Sequence, residues 1–176
     1  PGVVLSFGQL HLAQTQAAYG YQRTSTDWEK EISKADLVVV TSPNKDHASM
    51  SLAALKAGKA VVCEKPLSSS LETAREMAAA ARKAGTPTMV TFCYQGAPGA
   101  LEARRLVQNG AILGSSGYVE GTSEFLQDWG RGGRTNFRFH AEQGLGGVIE
   151  DLGAHQVDLV QFILGSREEP RPGSTR

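Results

Sequence analysis

Residues 35–67 read ADLVVVTSPNKDHASMSLAALKAGKAVVCEKPL, and the fold turns on how this stretch is punctuated. LVVV is a short, continuous apolar run of the kind buried inside a parallel sheet. Pro43 and Asn44 break it. Residues 47–56 then follow a helical pattern closed by Gly58. Residues 60–63 form another short apolar strand, ended by Lys65-Pro66. Strand, helix and strand within about thirty residues make a βαβ unit, which demands parallel pairing.

The same alternation extends outward. Upstream, residues 3–6 read as a buried strand, residues 9–19 as a helix ended by Gly20, and residues 27–33 as a short helix. Downstream, residues 70–84 form an Ala-rich helix with Gly85 just past its end, and residues 88–94 the next strand. Beyond Gln95 the texture changes. Residues 99–109 are one more helix closed by Gly110, and residues 118–125 have strand character. Residues 127–143 form a long polar, aromatic and Gly-rich loop of a kind that often carries function. Residues 148–164 are a helix stopped by Gly165. The expected fold is α/β: a partial Rossmann-type parallel sheet in residues 1–94, then the start of a second α/β (α+β) domain in residues 95–176.

Bulk composition narrows the function. The 176 residues carry 18 Lys+Arg against 18 Asp+Glu, a formal charge of zero, so the basic excess of a nucleic-acid binder is absent. No run approaches the roughly 18 apolar residues of a membrane span. The first twenty residues lack the basic flank and apolar block of a secretory signal. Cys63 and Cys93 sit in apolar stretches and form no CxxC pair, which fits reduced thiols and a cytoplasmic location. His11, His47, His140 and His155 show neither HxH nor HExxH spacing, so no metal site is expected. No GxSxG elbow is present. Pro1 stands where a methionine is ordinary, which points to a start lying upstream.

Three clusters could carry chemistry. Cys63-Glu64-Lys65-Pro66 ends a strand, where ligands bind in open α/β sheets. A lysine there can donate to a substrate oxygen, although Glu64 and Lys65 read equally well as solvated charges leaving the strand. In the second cluster, Asp151 and His155 stand at i and i+4 of a helix and share a face, with Asp158 near the same stripe. A carboxylate one turn from an imidazole can fix its tautomer and raise its basicity. A buried structural histidine beside two solvated acids is the alternative. Thr41-Ser42-Pro43-Asn44, with His47 following, forms the third cluster. It could touch a cofactor, or serve only as a turn and helix cap.

Taken in order, these segments resemble the Gfo/Idh/MocA family of oxidoreductases. The resemblance runs from about residue 3 to residue 165. It rests on residues 35–67, on TFCYQGAPGALEARRLVQNGAILG (91–114), on FLQDW (125–129) and NFRF (136–139), and on GGVIEDLGAHQVDLVQFILG (146–165). It implies an NAD(P)-dependent dehydrogenase or reductase acting on a sugar, inositol or similar polyol, with NAD or NADP as cofactor. It also implies a longer, homo-oligomeric parent. Lys65, Asp151 and His155 match the family's catalytic lysine, aspartate and histidine. Ser42, Pro43, Asn44, His47 and Glu64 match positions lining the nicotinamide and its ribose, and Arg138 an arginine near the cofactor. Tyr94, Gln95, Gln127 and Trp129 are candidate substrate-pocket residues.

The departures are specific. No GxGxxG occurs, and the family's opening strand, Gly-rich turn and first helix are expected before Pro1. Ser6-Phe7 stands where the family places an acidic ribose ligand. Phe137 replaces the usual Trp and Gln95 a frequent Arg. Two other readings of the same residues are a non-catalytic or cofactor-impaired binding relative, and an NAD-assisted glycosidase on the same scaffold.

Overall fold

A computed structural model describes residues 3–5, 12–112 and 149–165, with residues 3–5 and 149 described through the backbone alone. The chain divides into two compact units: residues 1–42 with 46–90, and residues 43–45 with 91–176.

Among the described residues the first unit holds five strands, and every pairing between them is parallel. β1 (Val3–Leu5) pairs with β2 (Arg23–Ser25). β3 (Leu37–Val40), β4 (Ala60–Cys63) and β5 (Thr88–Val90) form a separate three-stranded sheet in that order. Parallel neighbours need crossover connections, and helices supply them. α1 (Leu12–Tyr19) links β1 to β2, and α2 (Trp28–Ile32) links β2 to β3. α3 (His47–Lys56) and α4 (Leu71–Ala84) complete the two βαβ units. The Rossmann-type parallel arrangement expected from LVVV and AVVC is therefore present.

Register decides which residues reach the core. Val40 lies opposite Cys63, and Cys63 opposite Val90. Alternation along each strand then sends Val38, Val40, Val61 and Cys63 to one face. That face is covered by α3 and α4. Val40, Val61, Cys63, Ala54, Leu55 and Met77 form the buried core there, with Ile32 of α2 at its margin. The opposite face has no such cover among the described residues: Leu37, Val39 and Met89 are 50%, 56% and 59% exposed.

Local chemistry sets the helix ends. Asp27 accepts the Lys30 backbone N–H at 3.2 Å and starts α2. Ser70 accepts the Thr73 N–H at 3.1 Å and starts α4. Gly85, at φ 65°, closes α4 in the left-handed region that a side chain disfavours. Ser70→Ala removes one capping acceptor. It is expected to lower stability by about 1 kcal/mol, read as a lower denaturant midpoint at unchanged slope.

The second unit contains a 3₁₀ turn (Cys93–Gly96), α5 (Pro98–Gln108), a π turn (Ile149–Gly153) and α6 (Ala154–Leu164). α5 packs along α6. The Arg104 guanidinium lies 4.4 Å from the centroid of Phe162. No described helix is long and apolar enough to cross a membrane.

Three local expectations are corrected. The strand expected over residues 88–94 ends at Val90, where β4, its only partner among the described residues, ends at Cys63. Tyr94 and Gln95 consequently sit in a 3₁₀ turn. The helix expected over residues 148–164 opens with a π turn. β2 was not foreseen, since three residues with no apolar alternation carry no strand signal; pairing with β1 makes it one. The strand expected over residues 118–125 and the loop expected over residues 127–143 lie outside the described residues.

Candidate functional site

In the first unit the chemistry-bearing residues gather where β3 and β4 run out. The ladder's last link there is the Glu64 N–H donating to the Val40 carbonyl at 2.9 Å. Past it the two chains separate into the Ser42 turn and the Lys65-Pro66 turn. His47, in the first turn of α3, fills the space between them and is 1% exposed. Its Nε2 lies 2.9 Å from the Ser42 carbonyl oxygen, and its Nδ1 lies 2.8 Å from that of Pro66. Both ring nitrogens are thus committed to backbone, so His47 supports the site without presenting a polar atom to a ligand.

Glu64 and Lys65 are half-buried. A Glu64 carboxylate oxygen accepts the Lys65 backbone N–H at 3.2 Å, which holds the turn. The Ser42 hydroxyl oxygen is shut off from solvent and has no hydrogen-bond partner among the described residues. An orphaned hydroxyl at a strand's carboxyl end is the kind of group that a ligand's polar edge would satisfy. It fits a nicotinamide nucleotide seated there.

Cys63 is buried just before this turn. Burial pushes its thiol up, the Ser51 hydroxyl partly offsets that, and the Glu64 carboxylate adds to the rise. Cys93 is exposed. Thiol reagents at neutral pH are therefore expected to label Cys93 and to spare Cys63 until the protein is unfolded. Mass mapping of the alkylated residues checks this; equal labelling in the native state would contradict it. A cleft of about 400 Å³ lies on the helix-covered face of the sheet, lined by Val61, Cys63, Met77, Ala81 and Val90 among others, and is separate from the polar turns.

In the second unit the π turn carries Asp151 and the first turn of α6 carries His155; among the described residues these are the unit's buried polar side chains, each 8% exposed. The His155 ring lies against two aromatics. Tyr94 is tilted over it with centroids 4.6 Å apart, and Phe92 meets it edge-on at 6.0 Å. An imidazole held this way has a fixed orientation and an aromatic face ready for positive charge.

Asp158 plays a different part from the one its place on the stripe implied. It accepts from the Gln95 side-chain amide, at 2.8 and 3.0 Å to its two oxygens. Gln95 therefore ties the 3₁₀ turn to α6, with its amide committed to that task. Pro43 and Asn44 group with the second unit. Arg138, Gln127 and Trp129 lie outside the described residues.

Sequence reasoning missed Phe92, read as ordinary strand, and the buried oxygens of Thr91 and Glu150, which have no hydrogen-bond partner among the described residues. Thr91 carried one usable signal, since it directly follows a short apolar strand segment. Among the described residues no group of three or more His, Cys, Asp or Glu could hold a metal ion.

Comparison with known proteins covers both units. The Gfo/Idh/MocA oxidoreductase pattern, an NAD-binding Rossmann fold, matches residues 5–92. The Gfo/Idh/MocA C-terminal domain matches residues 100–170. Levoglucosan dehydrogenase of Pseudarthrobacter phenanthrenivorans is 31% identical over 157 residues, covering 87% of this chain and 40% of that protein. D-glucoside 3-dehydrogenase of Escherichia coli is 39% identical over 132 residues, covering 75% of this chain and 36% of that protein. The crystal structure of an oxidoreductase domain protein from Kribbella flavida superposes with a TM-score of 0.79 at 34% identity, covering 94% of this chain and 45% of the other. The chain thus spans less than half the length of these relatives.

Proposed function

Since this chain belongs to the Gfo/Idh/MocA oxidoreductase family, we propose that it supplies the catalytic groups of an NAD(P)-dependent dehydrogenase or reductase acting on a CH–OH group of a sugar, inositol or similar polyol. The observation that carries this reading is the buried His155 ring held against Tyr94, with Asp151 buried four residues before it.

The nicotinamide, when bound, supplies the hydride acceptor for alcohol oxidation and the donor for the reverse reduction. The chain's own residues handle the proton and the oxygen. His155 takes the hydroxyl proton as the carbon–hydrogen bond breaks, and returns it in reduction. Lys65 donates to the reacting oxygen and offsets the negative charge that grows on it. Asp151 orients the site or accepts from a neighbouring substrate hydroxyl. Ser42, Pro43, Asn44 and Glu64 would hold the nicotinamide and its ribose, together with Arg138. His47 contributes behind them, through the two carbonyls it braces. The two free thiols accord with a reducing, cytoplasmic setting.

The names of the relatives favour glucosides and anhydro sugars as the first substrates to try. Fluorescence titration with NADH and with NADPH identifies the cofactor. Hydride-transfer assays then follow on a panel of glucosides, anhydro sugars, inositols and aryl glycosides. Release of the aryl group with no net redox change would favour a glycosidase. Cofactor binding without hydride transfer or exchange on any of them would count against an enzyme.

A further inference from the structure

We propose that Gln95 and Asp158 are positioning residues that hold the Tyr94 ring over the face of His155. All four belong to the second unit. A carboxylate only accepts, so the Gln95 amide turns its nitrogen toward Asp158, and that nitrogen lies 2.8 and 3.0 Å from the two oxygens. A charged acceptor makes such a bond roughly twice as strong as a neutral one, and the pair is half-buried, which limits competition from water. Beside it, the Tyr94 ring meets the His155 ring with centroids 4.6 Å apart at a tilt of 40°.

Spacing makes the two contacts a single device. Tyr94 and Gln95 are consecutive in the 3₁₀ turn, and His155 and Asp158 stand three apart on one face of α6. The turn therefore rests on α6 at two points. A ring contact alone fixes a distance and leaves the turn free to pivot; the directional bond beside it removes the pivot. The turn's own backbone bonds, from the Gln95 N–H to the Phe92 carbonyl and from the Ala97 N–H to the Tyr94 carbonyl, close among neighbouring residues. Tyr94 is 42% exposed, so without the second point solvent can draw its ring away from the imidazole. The positioning role rests on the reading of His155 as the acid–base group. The two-point contact does not.

Two measurements on the full-length protein test this. In protein with ¹³C-labelled histidine, the ring-proton signal that disappears in His155→Gln is expected to carry the ring-current displacement that a stacked aromatic imposes, and to lose it in Tyr94→Leu. Gln95→Glu, which keeps the shape and sets a like charge against Asp158, is expected to move that signal most of the way to its Tyr94→Leu position. Gln95→Arg, whose fork donates to a carboxylate, is expected to bring it back toward the native position. A signal unmoved in the folded Glu variant would overturn the proposal and leave the bond as helix packing alone. On the substrate that the panel identifies, kcat in Gln95→Glu is expected to fall about 3- to 30-fold, the worth of one cation–aromatic contact, with cofactor affinity unchanged and most of the loss recovered in Gln95→Arg. Native turnover despite a displaced signal would overturn the positioning role. Should the Glu variant fail to fold, Gln95→Leu, which removes the donor without adding charge, decides in its place. A protein inactive on every substrate would sink the redox reading and the positioning role with it, while the ring signal still decides the two-point contact.

Discussion

His155→Ala is expected to lower turnover by about 10²- to 10⁴-fold, the contribution of one positioned acid–base group, while cofactor affinity changes little. The reason lies in where the ring sits. It is buried on α6 in the second unit, against Tyr94 and Phe92, whereas the residues assigned to the nicotinamide stand mainly at the strand ends of the first unit. On taking a proton the ring becomes a cation about 4.6 Å from the Tyr94 centroid, within the roughly 6 Å over which an aromatic face stabilises positive charge. Truncation to alanine removes the base and the partner of that face together. Lys65→Met is expected to act in the same direction, because it removes the donor to the reacting oxygen and keeps most of the side-chain volume. Steady-state kinetics beside NADH and NADPH titrations separate the two effects. Near-native turnover in either variant of the full-length enzyme would remove that residue from the mechanism.

The 176-residue chain purified by itself is expected to melt over a broad range, bind a hydrophobic dye, self-associate and hold dinucleotide weakly. Among the described residues its three-stranded sheet is covered on one face only. Leu37, Val39 and Met89 stand about half-exposed on the other. Burying a side chain of this type contributes roughly 1.5–3 kcal/mol, and these three leave much of that unrealised. Among the described residues β3 pairs with β4 alone. Its other edge therefore offers unpaired backbone groups, a template for association. Replacing Leu37 and Val39 together with lysine is expected to suppress the self-association without restoring a sharp melt. Light scattering, dye fluorescence and calorimetry read these outcomes. A cooperative transition, no dye uptake and micromolar NAD(H) binding by the isolated chain would contradict the expectation.

Much of this was legible because the chain announces its elements with short-range chemistry. LVVV and AVVC are too short and too apolar for anything but inner strands. Gly58, Gly85 and Gly110 stop their helices, and Ser70 and Asp27 start theirs. What the sequence hid depends on partners distant in the chain. Arg23–Ser25 becomes a strand because β1 lies beside it. Thr91 to Gln95 leaves the sheet because β4 has ended, and no local residue records that. At the site, the candidacy of Asp151 and His155 could be read from spacing, whereas the commitment of Asp158 to Gln95, 63 residues away, could not. His47 shows the same limit. A histidine after a strand-end turn reads as a ligand-facing residue until both carbonyls are seen on its nitrogens.

The π turn over Ile149–Gly153 changes what a one-residue deletion would do here. In an ordinary helix each residue advances the chain by about 100°. The wider coil absorbs a residue that a regular helix would have to carry around the axis, and such local widenings recur at functional sites. Deleting Leu152 or Gly153, the residues of this turn that lie between the two, would let the coil regularise and swing Asp151 out of phase with His155, although every side chain named in the chemistry were still present. The angular spacing of acid and base is thus encoded in residue count as well as in residue identity.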